Sequence, residues 1–367
     1  MKCVKIFTAL VLCLSLCGCS MFSEGSYIFI DSHPPQSTSG AVQNVSVANY
    51  DQLYQALADM VKDGVTQRII YVDQYKKEAL EQDIQQVSPD LCTTHPIAAY
   101  AVEDITCTLG TNSGTDALSV EIVYLHDRSE IRKIISVADN AAAADVIAQA
   151  LNRFDTGVVL KIDTYEDMDF EQMIEDYALT YPEFVMETPR VSVNLYPETG
   201  TTRVAELKFT YLTSGDILKS MQQQVSVVFA SAVQSVSEAE SEQEKFSQLF
   251  TFLMDRYDYD LGTSLTPTYS LLRQGVGDVR AFAVVYAAMC RQAGLSCMVV
   301  SGTRNGENWY WNIVMDDGVY YHVDLLRCSE EDVFSERSDA DMDGYVWAAD
   351  FYPACGVPEI TEENNEK

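Results

Sequence analysis

The chain is 367 residues long, 47% apolar, and carries 55 acidic against 24 basic side chains for a formal net charge of −31. That length accommodates two or three domains with a sizeable buried core. The charge argues against nucleic acid or an anionic surface as partner, because phosphates would be repelled. Its ordinary consequence is a solvated acidic surface.

The chain opens MKCVKIFTALVLCLSLCGCS. Lys2 and Lys5 form a positive n-region, and Ile6 to Leu16 an apolar stretch of secretory-signal length, too short to span a membrane as a helix. Leu16-Cys17-Gly18-Cys19 resembles the bacterial lipobox. The resemblance implies a signal peptide over 1–18 and Cys19 as the lipidated first residue of the mature chain. The body would then be extracytoplasmic, anchored to membrane lipid through Cys19. Residues 19–46, rich in Ser, Gly, Pro and Gln, read as a tether. Six cysteines follow: Cys92, Cys107, Cys290, Cys297, Cys328 and Cys355. An exported chain permits disulfides. Cys92 with Cys107 and Cys328 with Cys355 is one arrangement, and buried free thiols are the other.

Residues 47–137 and 138–225 read as two copies of one α+β unit. Each starts with an amphipathic helix, carrying Tyr50, Leu53, Tyr54, Leu57, Met60 and Val61 on one face in the first copy. Val146, Ile147, Ala150, Leu151 and Phe154 do the same in the second. A strand follows in each, IIYVDQY at 69–75 and VVLKIDTY at 158–165, so that Asp73 and Tyr75 match Asp163 and Tyr165. A second helix and two alternating strands complete the order α-β-α-β-β. Tyr and Asp at matched places suit core and turn positions better than ligand positions, and nothing else in the units marks a site. Residues 226–262 read as a helical lead-in, with one long helix over 216–236 and another, with acids in its first turn, over 237–257.

Three later blocks stand in order: YDYD at 257–260 with GVGDVRAFAVVYAAMCRQAGLSCMVVSGT at 275–303, then NWYWNIV at 308–314, then YYHVD at 320–324. Together they are similar to the bacterial transglutaminase-like domain, a relative of papain-like folds, over about residues 240–355. The resemblance implies an α+β domain at 263–356 and a Cys-His-Asp triad for acyl transfer. In such a triad a helix N-terminus and an adjacent His lower the thiol pKa, and the Asp orients the His. Gly275, Gly277, Phe282 and Ala283 match the first motif, but the nucleophile position falls on Val279. Trp311, Asn312 and Val314 match the second, with Trp309 at the His position. Tyr321, His322, Val323 and Asp324 match the third, so Asp324 is the retained triad position. Valine has no lone pair to attack a carbonyl, and an indole donates one N–H and accepts nothing useful.

Two alternatives remain at this level. Ser301 or a rearranged cysteine could serve as an unorthodox nucleophile, although Cys290 lies three turns along the Val279 helix, at core spacing, and Cys297 opens a strand. His322 alternates with Asp324 on its strand, and the pair suits a structural hydrogen bond. DADMDGYVWAAD at 339–350 places Asp339, Asp341, Asp343, Gly344 and Asp350 at calcium-loop spacing, with Asp where the loop wants a bidentate Glu. An acidic loop without a metal is the alternative. Residues 357–367 are an acidic tail. The sequence thus reads as two tandem α+β modules followed by a transglutaminase-like α+β domain. It leans away from an enzyme and toward an anchored protein that binds a peptide or protein ligand, with no cofactor.

Overall fold

Two β-α-β-led layers open the described chain, residues 45–356 of a computed structural model. The signal segment, Cys19, the tether to residue 44 and the tail from 357 lie outside the described residues. The first layer comprises β1 (Val45–Ser46), α1 (Tyr50–Asp63), β2 (Gln67–Tyr71), α2 (Lys77–Thr94), α3 (Pro96–Ala101), β3 (Val102–Asn112) and β4 (Thr115–Tyr124). Its sheet runs β1-β2-β4-β3. After the one-turn α4 (Arg128–Ile131) come β5 (Ile135–Asp139), α5 (Asn140–Arg153), β6 (Gly157–Thr164), α6 (Phe170–Thr180), β7 (Arg190–Tyr196) and β8 (Arg203–Thr210). Their sheet runs β5-β6-β8-β7, the same connectivity. In both, the first two strands are parallel and the rest antiparallel, so a helix must cross over between the parallel pair.

The helix ends also correspond. Asn49 and Asp139 cap α1 and α5 by accepting the N–H groups of Gln52 and Ala142. Both helices close on a left-handed residue, Gly64 and Phe154. Phe154 therefore lies just past the helix whose face it was expected to join, and its ring packs edge-on to Tyr211. Tyr75 donates to Asp83 at 2.6 Å, and Arg203 lies over the Tyr165 ring. Each unit has one strand more than the expected α-β-α-β-β. β1 is too short to show alternation, and β5 runs into the N-cap of its own helix.

The remaining elements are α7 (Gly215–Ser235), α8 (Glu242–Met254), β9 (Asp258–Tyr259), β10 (Val276–Gly277), α9 (Val279–Gln292), β11 (Cys297–Arg304), β12 (Glu307–Asp316), β13 (Val319–Val323), α10 (Leu325–Glu330) and β14 (Tyr345–Trp347). Every residue of α9 from Ala281 to Cys290 is buried. A helix with so little polar face must sit at the centre of its domain. The helices α7 and α8 cover it, sharing one core with Phe229, Phe246 and Tyr286, and Tyr286 donates its hydroxyl to the Phe246 carbonyl at 2.9 Å. The antiparallel sheet β13-β12-β11-β14 covers it elsewhere, where the Asn312 amide donates to the Ala283 carbonyl. Arg291 of α9 pairs with the buried Glu183, donates to the Thr180 carbonyl and lies over the Tyr181 ring, which fixes the second unit against this domain. No described helix is long and apolar enough to cross a membrane.

All six described cysteines are free thiols, so neither Cys92 with Cys107 nor Cys328 with Cys355 is paired. Cys328 instead faces the Ser335 carbonyl and the Arg337 guanidinium, and Cys355 faces the Pro353 carbonyl.

Candidate functional site

Two short parallel strands, β9 and β10, bring the chain to the head of α9. Gly277 is closely packed there, because a Cβ would come to 3.0 Å from the Ala281 Cβ and 3.1 Å from Leu271. Asp278 caps the helix by accepting the Ala281 N–H at 2.8 Å, and Val279 is its first residue. Facing it is the β11–β12 hairpin, in which Ser301 is paired with Tyr310 and Gly302 with Trp309. Between them lies a cleft of about 680 Å³ lined by Tyr259, Val279, Arg280, Ser301, Trp309 and Tyr310, among others. The positions where the resemblance expects a thiol and an imidazole thus open into one cleft. No cysteine or histidine lines it.

Asp324 stands behind Trp309. Its Oδ2 accepts the Trp309 indole N–H at 2.8 Å and the Tyr345 hydroxyl at 2.6 Å. Its Oδ1 accepts the backbone N–H groups of Leu326 and Arg327, which makes it the N-cap of α10. The side chain is 2% exposed, and the Arg304 guanidinium lies 3.8 Å away. Arg304 also sits over the Trp309 ring at 5.1 Å and bonds Glu330. Asp324 therefore has four donors and a nearby cation, enough to keep a buried carboxylate satisfied. Burial and the adjacent Asp324 carboxylate push the Tyr345 phenol well above its ordinary pKa, so it stays a donor.

His322 lies on β13, two residues before Asp324, and belongs to a separate network. Trp311 donates its indole N–H to His322 Nδ1 at 3.0 Å. An indole only donates, so Nδ1 is the acceptor and the single proton of the neutral ring sits on Nε2. That proton goes to Asp339 Oδ1 at 2.9 Å. Burial holds the His322 pKa below its usual value, consistent with the neutral ring. The Cys355 sulfur completes a group whose ligand atoms lie within 4.8 Å of one another. The tautomer decides what this group can do. Nε2 has no free lone pair, so it can neither take a proton from Cys355 nor coordinate a cation while Trp311 holds Nδ1. Burial pushes the Cys355 thiol up to about 12, far from a thiolate at neutral pH.

The other thiols are no better placed. Cys290 is fully buried in α9, and burial followed by its contact with Cys297 raises its pKa well above the ordinary value. Burial likewise raises Cys328. In the 339–350 loop, Asp339 is engaged by His322 and the Cys355 N–H, and Asp341 caps Ser338. The loop continues into β14 rather than into a helix. Sequence reading singled out neither the Asp339–His322 contact nor the cleft residue Arg280. Position beside Val279 was the available signal for Arg280. Asp339 and Cys355 gave none, because a loop brings them together.

Comparison with known families gives a match to the Transglutaminase-like superfamily over residues 230–347. Among solved structures, a TGase is 8% identical at a TM-score of 0.27, with 59% of this chain and 63% of that chain covered. A candidate cysteine protease from Cytophaga hutchinsonii is 15% identical at 0.27, covering 43% and 70%. A candidate protease from Parabacteroides distasonis is 8% identical at 0.23, covering 70% and 40%. The chain thus spans less than two thirds of the first of these structures. Comparison with curated proteins gives no match.

Proposed function

Because residues 230–347 of this chain are a transglutaminase-like domain, we propose that the chain is a catalytically silent member of that superfamily that binds a peptide or protein segment in the cleft. The observation that carries this reading is the Val279–Trp309–Asp324 arrangement. The helix N-terminus that would activate a thiol presents an aliphatic side chain. The acid that would orient an imidazole instead holds an indole and caps a helix. What remains is a groove with aromatic walls and scattered polar groups, the composition of a binding surface. The two α+β units are a duplicated pair that carries the domain away from its anchor. Cys19 is the lipid attachment point, and the protein works outside the cytoplasm on the cell envelope. The 339–350 loop supports the His322 network rather than a calcium ion.

The rival reading is an acyltransferase or peptide hydrolase with an unorthodox nucleophile, of which Ser301 is the one that lines the cleft. Ser301 has no histidine there to accept its proton, which favours the silent reading.

One experiment separates them. The protein labelled with 15N at its indoles is titrated with tryptic casein peptides, and monodansylcadaverine incorporation into casein is followed in parallel. The silent reading expects the Trp309 indole resonance to move, those of Trp311 and Trp347 to stay, and no incorporation. Incorporation or peptide cleavage that Ser301→Ala abolishes would replace it with the rival.

A further inference from the structure

The cleft does not end at Val279. Ser264, Pro267 and Arg280 line both it and a second cavity of about 280 Å³ that reaches under the second α+β unit. Arg280, Ser301 and Tyr310 also line a third hollow, of about 630 Å³, whose other wall is α6. Arg280 is therefore the residue common to all three. The second and third hollows each have one wall from the transglutaminase-like domain and the other from the preceding unit.

Asp278 and Glu307 line the cleft and Glu175 and Asp176 the third hollow, whereas the smaller cavity is basic. Arg280 is half-buried at the second position of α9, and among the described residues no carboxylate lies within 4.0 Å of its guanidinium. Its neighbour is the Tyr310 ring, 5.7 Å from the guanidinium carbon, which orients the cation without neutralising it. In the smaller cavity it is joined by Arg190, the exposed first residue of β7, which has no ion-pair partner among the described residues. The one carboxylate lining that cavity belongs to Glu187. It is buried, and its two oxygens accept the N–H groups of Leu212 and Thr213, so it is committed to backbone. Thr188, Thr210 and Thr268 add hydroxyls to the same wall. The cavity thus brings together two guanidiniums and no uncommitted carboxylate, a lining suited to an acid supplied from outside.

The geometry points to the junction cavity as a carboxylate-binding subsite. It takes the Glu or Asp side chain of a peptide lying in the cleft, with Arg280 as the primary anchor and Arg190 as the second. This rests on the cleft being a peptide-binding surface and adds a preference for acidic segments. It also gives the second α+β unit a part in recognition, because Arg190 belongs to that unit.

The test is fluorescence polarisation on the full chain with two fluorescein-labelled, C-terminally amidated peptides, Gly-Leu-Glu-Glu-Leu-Gly and Gly-Leu-Gln-Gln-Leu-Gly, at low salt. The Glu peptide is expected to bind at least tenfold more tightly than the Gln peptide. Arg280→Gln should cost the Glu peptide at least tenfold and Arg190→Gln at least threefold, and each should cost the Gln peptide less than it costs the Glu peptide. Arg280→Lys, which keeps the charge and loses the fork, should fall between wild type and Arg280→Gln. That order would not result from a folding defect, and tryptophan fluorescence checks the fold of each variant. Arg273→Gln, outside the groove, should match wild type. If the two peptides bind equally and Tyr310→Ala still weakens both, the carboxylate subsite is wrong and the cleft reading stands. If Arg280→Gln binds the Glu peptide like wild type, the subsite is also wrong. If neither peptide binds at 1 mM, both fail together.

Discussion

Asp324→Asn is the substitution whose cost follows most directly from the structure. The carboxylate has two acceptor oxygens facing two pairs of donors: Trp309 and Tyr345 on Oδ2, Leu326 and Arg327 backbone on Oδ1. Asparagine offers one oxygen and one NH2 group of nearly the same shape. Either orientation leaves one donor pair facing an NH2, so two hydrogen bonds to a charged group are lost at a 2% exposed site. At about 1.5–3 kcal/mol for each such bond, the loss is about 3–6 kcal/mol, a large part of a domain's whole stability. Urea unfolding followed by tryptophan fluorescence measures it well. The chain has three tryptophans, Trp309, Trp311 and Trp347, and all three lie in this domain. A midpoint that stays within about 0.5 kcal/mol of wild type, the range of ordinary surface changes, would refute the argument that Asp324 is a structural hub.

Two further outcomes are expected. The double variant Val279→Cys with Trp309→His should carry a thiol that iodoacetamide alkylates at pH 6.5 about tenfold faster than Val279→Cys alone, because helix N-terminus and imidazole together lower a thiol pKa; equal rates, with the site identified by peptide mass, would show that the two positions do not meet. Burial first, and then the Asp316 carboxylate, raises the Glu336 pKa to about 7. An acid whose folded pKa lies above its unfolded value loses stability as pH rises from the unfolded value to the folded one, here from about 4.5 to about 7. Glu336→Gln should remove that decline and raise the melting temperature at pH 8, and an unchanged pH profile would count against the assignment.

The parts of this molecule that sequence disclosed are those with a period or a motif. The helix α9 shows as an apolar run behind an Asp cap, and α7 and α8 show by their apolar spacing. Val279 and Trp309 could be placed because each lies at a fixed distance from Gly277 or Asn312, residues with their own steric or hydrogen-bonding reason to be there. What stayed hidden depends on chain closure. β1 is two residues long and is a strand only because Val45 and Ser46 lie beside Ile70 and Tyr71. The Asp339 spacing suggests a calcium loop until His322 is found 2.9 Å away. Arg190 and Arg280 are unremarkable in the sequence, and they share a cavity only because Arg291 docks the second unit on α9.

On the silent reading, the two tryptophans of NWYWN explain why a cleft without a thiol or an imidazole is a well-formed site rather than a defect. β12 places Trp309 and Trp311 on one face, toward Asp324 and His322, and each indole N–H meets one acceptor. Trp309 supplies a donor to Asp324, so the buried acid is satisfied without an imidazole. Trp311 fixes the proton of the one histidine in this domain on the side facing Asp339, so that ring cannot serve as a substitute base. Gly302 makes room for this face, since a Cβ there would lie 2.8 Å from the Trp311 ring and 2.3 Å from the Val346 carbonyl. A chance loss of the nucleophile would leave the base and acid in place around an empty helix end. Here the acid, the neighbouring histidine and the glycine opposite are all committed to holding indoles, which is the arrangement of a wall.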